Sequence, residues 1–328
     1  MSARKVVICG AGFLGRHIAR AIVASPQLNG KPPLVVQISS RNPLRIWNAL
    51  HSDSDVSKDR LLPAVPVDIT EPHTIKKAFT GASIVVSLVG IMHGSPADFE
   101  RVQLRGAENI ALAARDAGAR LIHFSALGAD PGSHIPYTRT KGLAELSVLA
   151  VQPGANIIRP SLVFGPEDDF FNRFAKLSKF LPFLPVFGGG ESLFQPIYVD
   201  DIARLTTKLC EEKVGKELGG KIIEAGGPQI YTYRDLMRLI LETTGRGRPI
   251  LSFPFAIGKL QGAILEKLPT NLLTVTRAQI EQLQLDNIVQ SRLPKNHVSV
   301  EEVFLAYNLP PLRTLEDILP TYLHTGGK

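Results

Sequence analysis

The chain is poor in cysteine: Cys9 and Cys210 are its only two in 328 residues. Two thiols cannot build a disulfide framework, which excludes a disulfide-stapled secreted fold and suits a reducing compartment. No apolar run reaches the roughly 18–20 residues that a membrane-spanning helix needs. No two of the eight histidines stand at metal-ligand spacing, so no metal is expected. No internal repeat or low-complexity tract is present. Acidic residues are outnumbered, 30 against 37 basic, for a net charge of +7. The basic residues are scattered rather than gathered into a run or an aromatic-interleaved patch, so a nucleic-acid partner is not expected. The opening "MSARKVV" leads directly into a strand pattern, and no signal or transit peptide is expected.

What is present is an ordinary globular composition, 44% hydrophobic and 20% charged. The length allows one large core, or a large domain with a smaller companion. Through the first half, strand-like and helix-like segments alternate, which predicts a doubly wound parallel α/β sheet of the Rossmann type. Strands are predicted at Lys5–Cys9, Leu34–Ser39, Ala64–Val67, Ile84–Leu88, Leu121–Ser125 and Asn156–Arg159. Their short, nearly continuous apolar runs fit strands covered by helices on both faces. Helices are predicted at Gly15–Ala24, Glu71–Phe79, Phe99–Ala117 and Tyr137–Val151, and the polar His51–Asp59 stretch as a surface loop. After about residue 165 the alternation lapses. One further strand, Lys221–Ala225, is expected to return to the sheet, and the chain from Tyr233 onward is expected to be mostly helical. The predicted organisation is a dinucleotide-binding domain over 1–165, rejoined by 200–226. Segments 166–199 and 227–328 form a smaller, partly interleaved carboxy-terminal domain.

Gly10, Gly12 and Gly15 make a GxGxxG motif between the first strand and the first helix. The tight turn needs a residue without Cβ, the pyrophosphate needs close backbone approach, and the helix must pack closely on its strand. The helix amino terminus then offers unpaired N–H groups to the phosphates. Phe13 and Leu14 within the loop, and Val89 and Gly90 after the fourth strand, complete the predicted cofactor contacts.

The second strand ends in Ser39, Ser40 and Arg41, where an NAD-preferring site usually carries an acidic residue for the ribose 2′-hydroxyl. Hydroxyls and a guanidinium suit a 2′-phosphate, so NADPH is the expected cofactor. The bland alternative is a surface arginine. Asp68 and Ile69, at the end of the third strand, are candidates to bond and flank the adenine, with a solvated loop aspartate as the alternative.

Tyr137 and Lys141 stand four residues apart on a predicted helix, which puts both on one face. An ammonium beside a phenol favours the phenolate and so suits general acid–base work. On these residues the chain resembles an extended or atypical short-chain dehydrogenase/reductase. That resemblance implies a proton-transferring role for Tyr137 and nicotinamide-ribose binding for Lys141. The runs Arg159–Ala175, Phe194–Ala203 and Ile222–Leu236 narrow it. They resemble the nucleotide-binding accessory subunit family of mitochondrial complex I and a related fungal coenzyme Q biosynthesis family. The resemblance implies a membrane-associated partner complex (complex I or a coenzyme Q synthesis complex), a quinone-like small molecule, and a peripheral position on the matrix side of the mitochondrial inner membrane.

Two departures from the family pattern stand out. Cys9 replaces the first glycine of the extended family's GxxGxxG, with Gly10 restoring the alternative spacing. In "IHFSALGAD" the strand end offers Ser125, whereas registering on Phe124 puts Leu127 at the catalytic serine position. Two apolar stretches, Phe180–Phe187 and Phe253–Pro269, read either as partner surface or as core of the smaller domain. In the second, Ile257, Leu260, Ile264 and Leu268 share a helical stripe. Two functions follow: a binding protein in which NADPH is chiefly structural, or an NADPH-dependent reductase or epimerase using Tyr137 and Lys141.

Overall fold

The computed structural model describes residues 3–26, 31–92, 94–258 and 277–323. Six strands come from the first half: β1 (Arg4–Cys9), β2 (Leu34–Ser40), β3 (Val65–Pro66), β4 (Ala82–Ser87), β5 (Arg120–Phe124) and β6 (Asn156–Pro160). Four short ones follow: β7 (Val163–Phe164), β8 (Leu184–Phe187), β9 (Leu193–Phe194) and β10 (Ile197–Tyr198). The last four are β11 (Ile222–Ala225), β12 (Tyr231–Thr232), β13 (Ile250–Phe253) and β14 (His297–Ser299).

Eight strands form one parallel sheet in the order β14-β11-β6-β5-β4-β1-β2-β3. The order reverses at β1, between β4 and β2, so a crevice opens at the carboxyl ends of these strands. Both faces of the sheet are buried. Val6, Ile8, Val36, Ile38, Ile84 and Val86 pack into one core with Ile18, Ile22 and Leu205. Val7, Val85, Leu121 and Ile157 pack into the other with Phe79, Ile110 and Val148. A third core is centred on Phe164, Phe171, Leu236, Ile240 and Leu319.

Two expectations are corrected, and one unassigned segment proves to be a helix. The helix predicted over Phe99–Ala117 is Pro96–Phe99, a π-helical turn Glu100–Arg105, and Gly106–Asp116. The widened turn carries the buried polar side chain of Gln103, which an uninterrupted apolar periodicity does not anticipate. The carboxy-terminal stretch is not simply helical: β13 pairs with β8, and β14 pairs with β11 at the edge of the main sheet. A three-residue strand is too short to show period-2 patterning. The segment Leu44–His51, to which no element was assigned from the sequence, is a helix whose Ile46 and Leu50 join the core.

Of the two apolar stretches, Leu184, Val186 and Phe187 are core residues, whereas Phe180 is 78% exposed. Leu260, Ile264 and Leu268 lie outside the described residues.

Candidate nucleotide site

A cleft of about 820 Å³ opens at the carboxyl ends of β1, β2, β4 and β5. Its floor begins at the glycine loop. Gly10 has φ +129°, and a Cβ there would sit 2.9 Å from Leu88 Cβ. At Gly15 a Cβ would sit 2.2 Å from the Gly10 carbonyl oxygen, so only glycine lets the helix Phe13–Ala24 close on its strand. Gly12 is different: a Cβ there meets nothing within 4 Å, because the residue borders the open cleft. Gly12 is also the N-cap, no side chain caps the helix, and its first turn holds no acid. Free N–H groups and the positive end of a helix dipole therefore remain for an anion. Phe13 and Leu14 line the same wall. Cys9 lies beneath, 1% exposed, its thiol pushed up to about 12 by burial, and so inert.

At one end of the cleft stand Ser40, Arg41 and Asn42 from the end of β2, and Asp68, Ile69 and Thr70 after β3. The Asp68 carboxylate is turned to Thr70, accepting from its N–H at 2.9 Å and its hydroxyl at 2.7 Å. Those bonds hold it below the usual carboxylate range, with smaller help from Arg41 and Arg101. Arg101 comes from the π-helical turn and faces Asp68 from across the cleft. Neither guanidinium is ion-paired with Asp68: both act on it at longer range, and Arg101 donates to Asp98 at 3.0 Å. The sequence reading identified Arg41 and missed Arg101, because only the fold brings residue 101 to the end of β2.

At the other end Val89, Gly90, Ser125, Tyr137 and Lys141 converge. Tyr137 occupies the first turn of the helix Pro136–Val151, edge-on to Phe99 at 6.2 Å. Burial pushes its phenol up to about 12. Lys141, one turn on and 6% exposed, donates to the Phe124 carbonyl at 3.1 Å and to that of Val89 at 3.5 Å. Burial lowers its ammonium to about 8, and Glu145 on the next turn opposes that shift. Ser125, not Leu127, lines the cleft. Its amide is fixed to the Ile158 carbonyl at 2.7 Å, and its buried Oγ has no protein partner. Gln103 is a further residue that the sequence reading missed. Its Nε2 donates to Thr140 at 2.9 Å, while Oε1 is buried and unpartnered. A Cβ on Gly90 would lie 3.2 Å from both that Oε1 and Lys141 Nζ.

The candidate site residues read from the sequence border one cleft, except Ser39, which is buried in β2 and accepts from Gln37 at 2.9 Å. An open helix amino terminus, an arginine pair, and two orphaned buried polar groups fit a dinucleotide laid across the cleft.

Comparison with known proteins agrees with that fit. Residues 6–226 match the NAD dependent epimerase/dehydratase family. The chain belongs to that family. Its members bind an NAD(P) nucleotide. The chain is 30% identical over 262 residues to the alpha subcomplex subunit 9 of mitochondrial NADH dehydrogenase (ubiquinone) 1 from Arabidopsis thaliana, covering 78% of this chain. It spans 62% of that relative's length. It is likewise 30% identical to a ceramide reductase of Caulobacter vibrioides, covering 76% of this chain and 73% of the relative. Among solved structures, the NAD-bound dTDP-glucose 4,6-dehydratase of Streptomyces venezuelae superposes with a TM-score of 0.68 at 18% identity. That match covers 97% of this chain and 95% of the dehydratase, a likeness of fold.

Proposed function

We propose that this family member is an NADP(H)-binding accessory or assembly protein of the mitochondrial ubiquinone machinery. In this reading it stands peripherally on the matrix side of the inner membrane, beside complex I or a coenzyme Q synthesis complex. A quinone-like small molecule is the class of ligand expected nearby. The dinucleotide is chiefly structural. The observation that carries the cofactor is the placement of Arg41 and Arg101 on the cleft wall near a carboxylate already committed to Thr70, with Arg101 held by Asp98. A 2′-phosphate between two guanidiniums gains charge-assisted, forked hydrogen bonds that a 2′-hydroxyl cannot match.

When bound, the dinucleotide supplies a nicotinamide able to exchange hydride. The chain's own residues mostly hold. The first-turn N–H groups after Gly12 bind pyrophosphate, and Lys141 reaches the nicotinamide ribose. Ser125 Oγ and Gln103 Oε1 gain the partners that they lack. A ligand bound only by the folded chain stabilises it by about 2.7 kcal/mol at a hundredfold excess over Kd. A protonated Tyr137 and an ammonium bonded to main-chain carbonyls are compatible with holding rather than turnover. The relatives named as complex I subunits support the setting.

A second reading, reductase chemistry by Tyr137 and Lys141, is favoured by one observation: the Ser125 hydroxyl borders the cleft beside both. Tyr137→Phe in a complementation assay separates the two. The accessory reading expects retained growth, retained protein and retained NADPH. Loss of growth with protein and NADPH both retained would make the chain a reductase.

A further inference from the structure

The chain beyond β6 presents a surface that the nucleotide cleft does not use. The helix Tyr233–Thr243 and the turn after it line an open groove with Arg234, Arg238, Arg246 and Arg248. Arg246 donates to the Ala175 carbonyl at 3.0 Å and to Ser178 Oγ at 2.9 Å. These bonds join the groove to the last turn of the helix Phe170–Phe180, which adds the exposed Lys176 and Lys179. Six cations thus face two carboxylates, Glu242 and Asp235, and Asp235 is already engaged by Thr232 and Arg238.

Exposed apolar groups flank these cations. Phe180 ends that helix at 78% exposure. Leu251, 42% exposed, follows Ile250 on β13 and by strand alternation lies on the side opposite to it. Leu251 and Phe253 alternate onto one side of the β8–β13 ribbon, where the Phe253 ring meets Phe183 at 5.9 Å. Ile257, 50% exposed, lies just beyond.

We infer that this face docks on an anionic phospholipid surface, with the arginines and lysines at the phosphates and Phe180 in the interfacial layer. Charge complementarity selects this occupant. A neutral apolar partner gives six cations nothing to meet, and an acidic soluble partner leaves Phe180 in water. A bilayer with anionic headgroups satisfies both. Among the described residues no helix is long and apolar enough to cross a membrane, so the contact is peripheral. This deepens the peripheral placement proposed above, and it stands or falls separately from nucleotide binding.

The test is cosedimentation of the full chain with vesicles of phosphatidylcholine alone, or of phosphatidylcholine with cardiolipin. Binding is expected only to the anionic vesicles and is expected to weaken as salt rises. Each exposed cation near the surface is worth about fivefold in affinity, so Arg238→Glu/Arg248→Glu should lose more than about 25-fold. Phe180→Ser should lose roughly tenfold without changing the salt dependence. NADPH titration of each variant reports the fold and the cleft separately. No binding to anionic vesicles by the wild type would overturn the inference. So would equal binding by the charge-reversed variant, or a dependence on Arg238 and Arg248 with none on Phe180, which would leave no apolar part to the contact.

Discussion

Glu145 and Arg159 form a bidentate pair at 2.8 and 2.6 Å, buried one helical turn beyond Lys141. Arg159 also stands 3.8 Å from Glu224, whose carboxylate accepts from His297 at 2.7 Å. The helix that carries Tyr137 and Lys141 is therefore fastened to β6, β11 and β14 through one small buried network. Removing the guanidinium leaves two carboxylates in the interior with one shared partner lost. Arg159→Met is expected to destabilise the fold by about 3–5 kcal/mol, measured by urea unfolding. A change under about 1 kcal/mol would show that water already reaches the network.

Gly12 and Gly15 separate cofactor binding from folding. Gly12 borders open space, so Gly12→Asp should leave the melting temperature of the nucleotide-free protein almost unchanged. Its carboxylate would stand where a pyrophosphate approaches, and NADPH binding should be lost. Gly15→Ala should instead destabilise the free protein, since its Cβ would fall 2.2 Å from the Gly10 oxygen. Thermal melts with and without NADPH distinguish the two, and a destabilised Gly12→Asp apoprotein would contradict this account.

Arg41 is half of the guanidinium pair. Arg41→Ala is expected to weaken NADPH binding by about tenfold or more and to change NADH affinity little, because a charge-assisted bidentate contact contributes about 1.5–3 kcal/mol. Calorimetric titration of both nucleotides measures this. A wild-type preference for NADH would remove the basis for the assignment.

His123 lies on β5, 1% exposed, with Nδ1 3.3 Å from Ser87 Oγ and Nε2 unpartnered. Burial, with the Lys141 charge adding to it, lowers the imidazole from 6.5 to about 3. Between those values the unfolded chain binds more protons, so stability rises with pH and is lost as pH falls from about 6.5 toward 3. His123→Leu should flatten that part of the stability–pH curve. Urea midpoints at pH 7 and pH 4 for both proteins report the difference, and identical slopes would assign the acid sensitivity elsewhere.

Legibility followed the range of the constraint. The glycine loop was readable because a positive φ at Gly10 and a close approach at Gly15 are demanded within six residues of chain. Tyr137 and Lys141 were readable because 3.6-residue periodicity places them on one face. The alternating segments foretold the parallel sheet, since strands covered on both faces must be apolar throughout.

Arg101, Gln103 and β14 were not readable in the same way. Arg101 and Gln103 enter the cleft from a π-helical turn, in the stretch between Gly90 and Ser125 where no motif marks a site residue. β14 reaches the sheet edge only because β11 offers it an unpaired row of backbone groups. The choice between Ser125 and Leu127 likewise fell to tertiary structure. Main-chain bonds from both residues to β6, at the Ile158 and Pro160 carbonyls, turn the Ser125 hydroxyl toward the cleft and leave Leu127 packed away from it. Local backbone geometry and periodicity are written into neighbouring residues. Which distant side chains share a desolvated space depends on how whole elements pack, and that is decided by the fold.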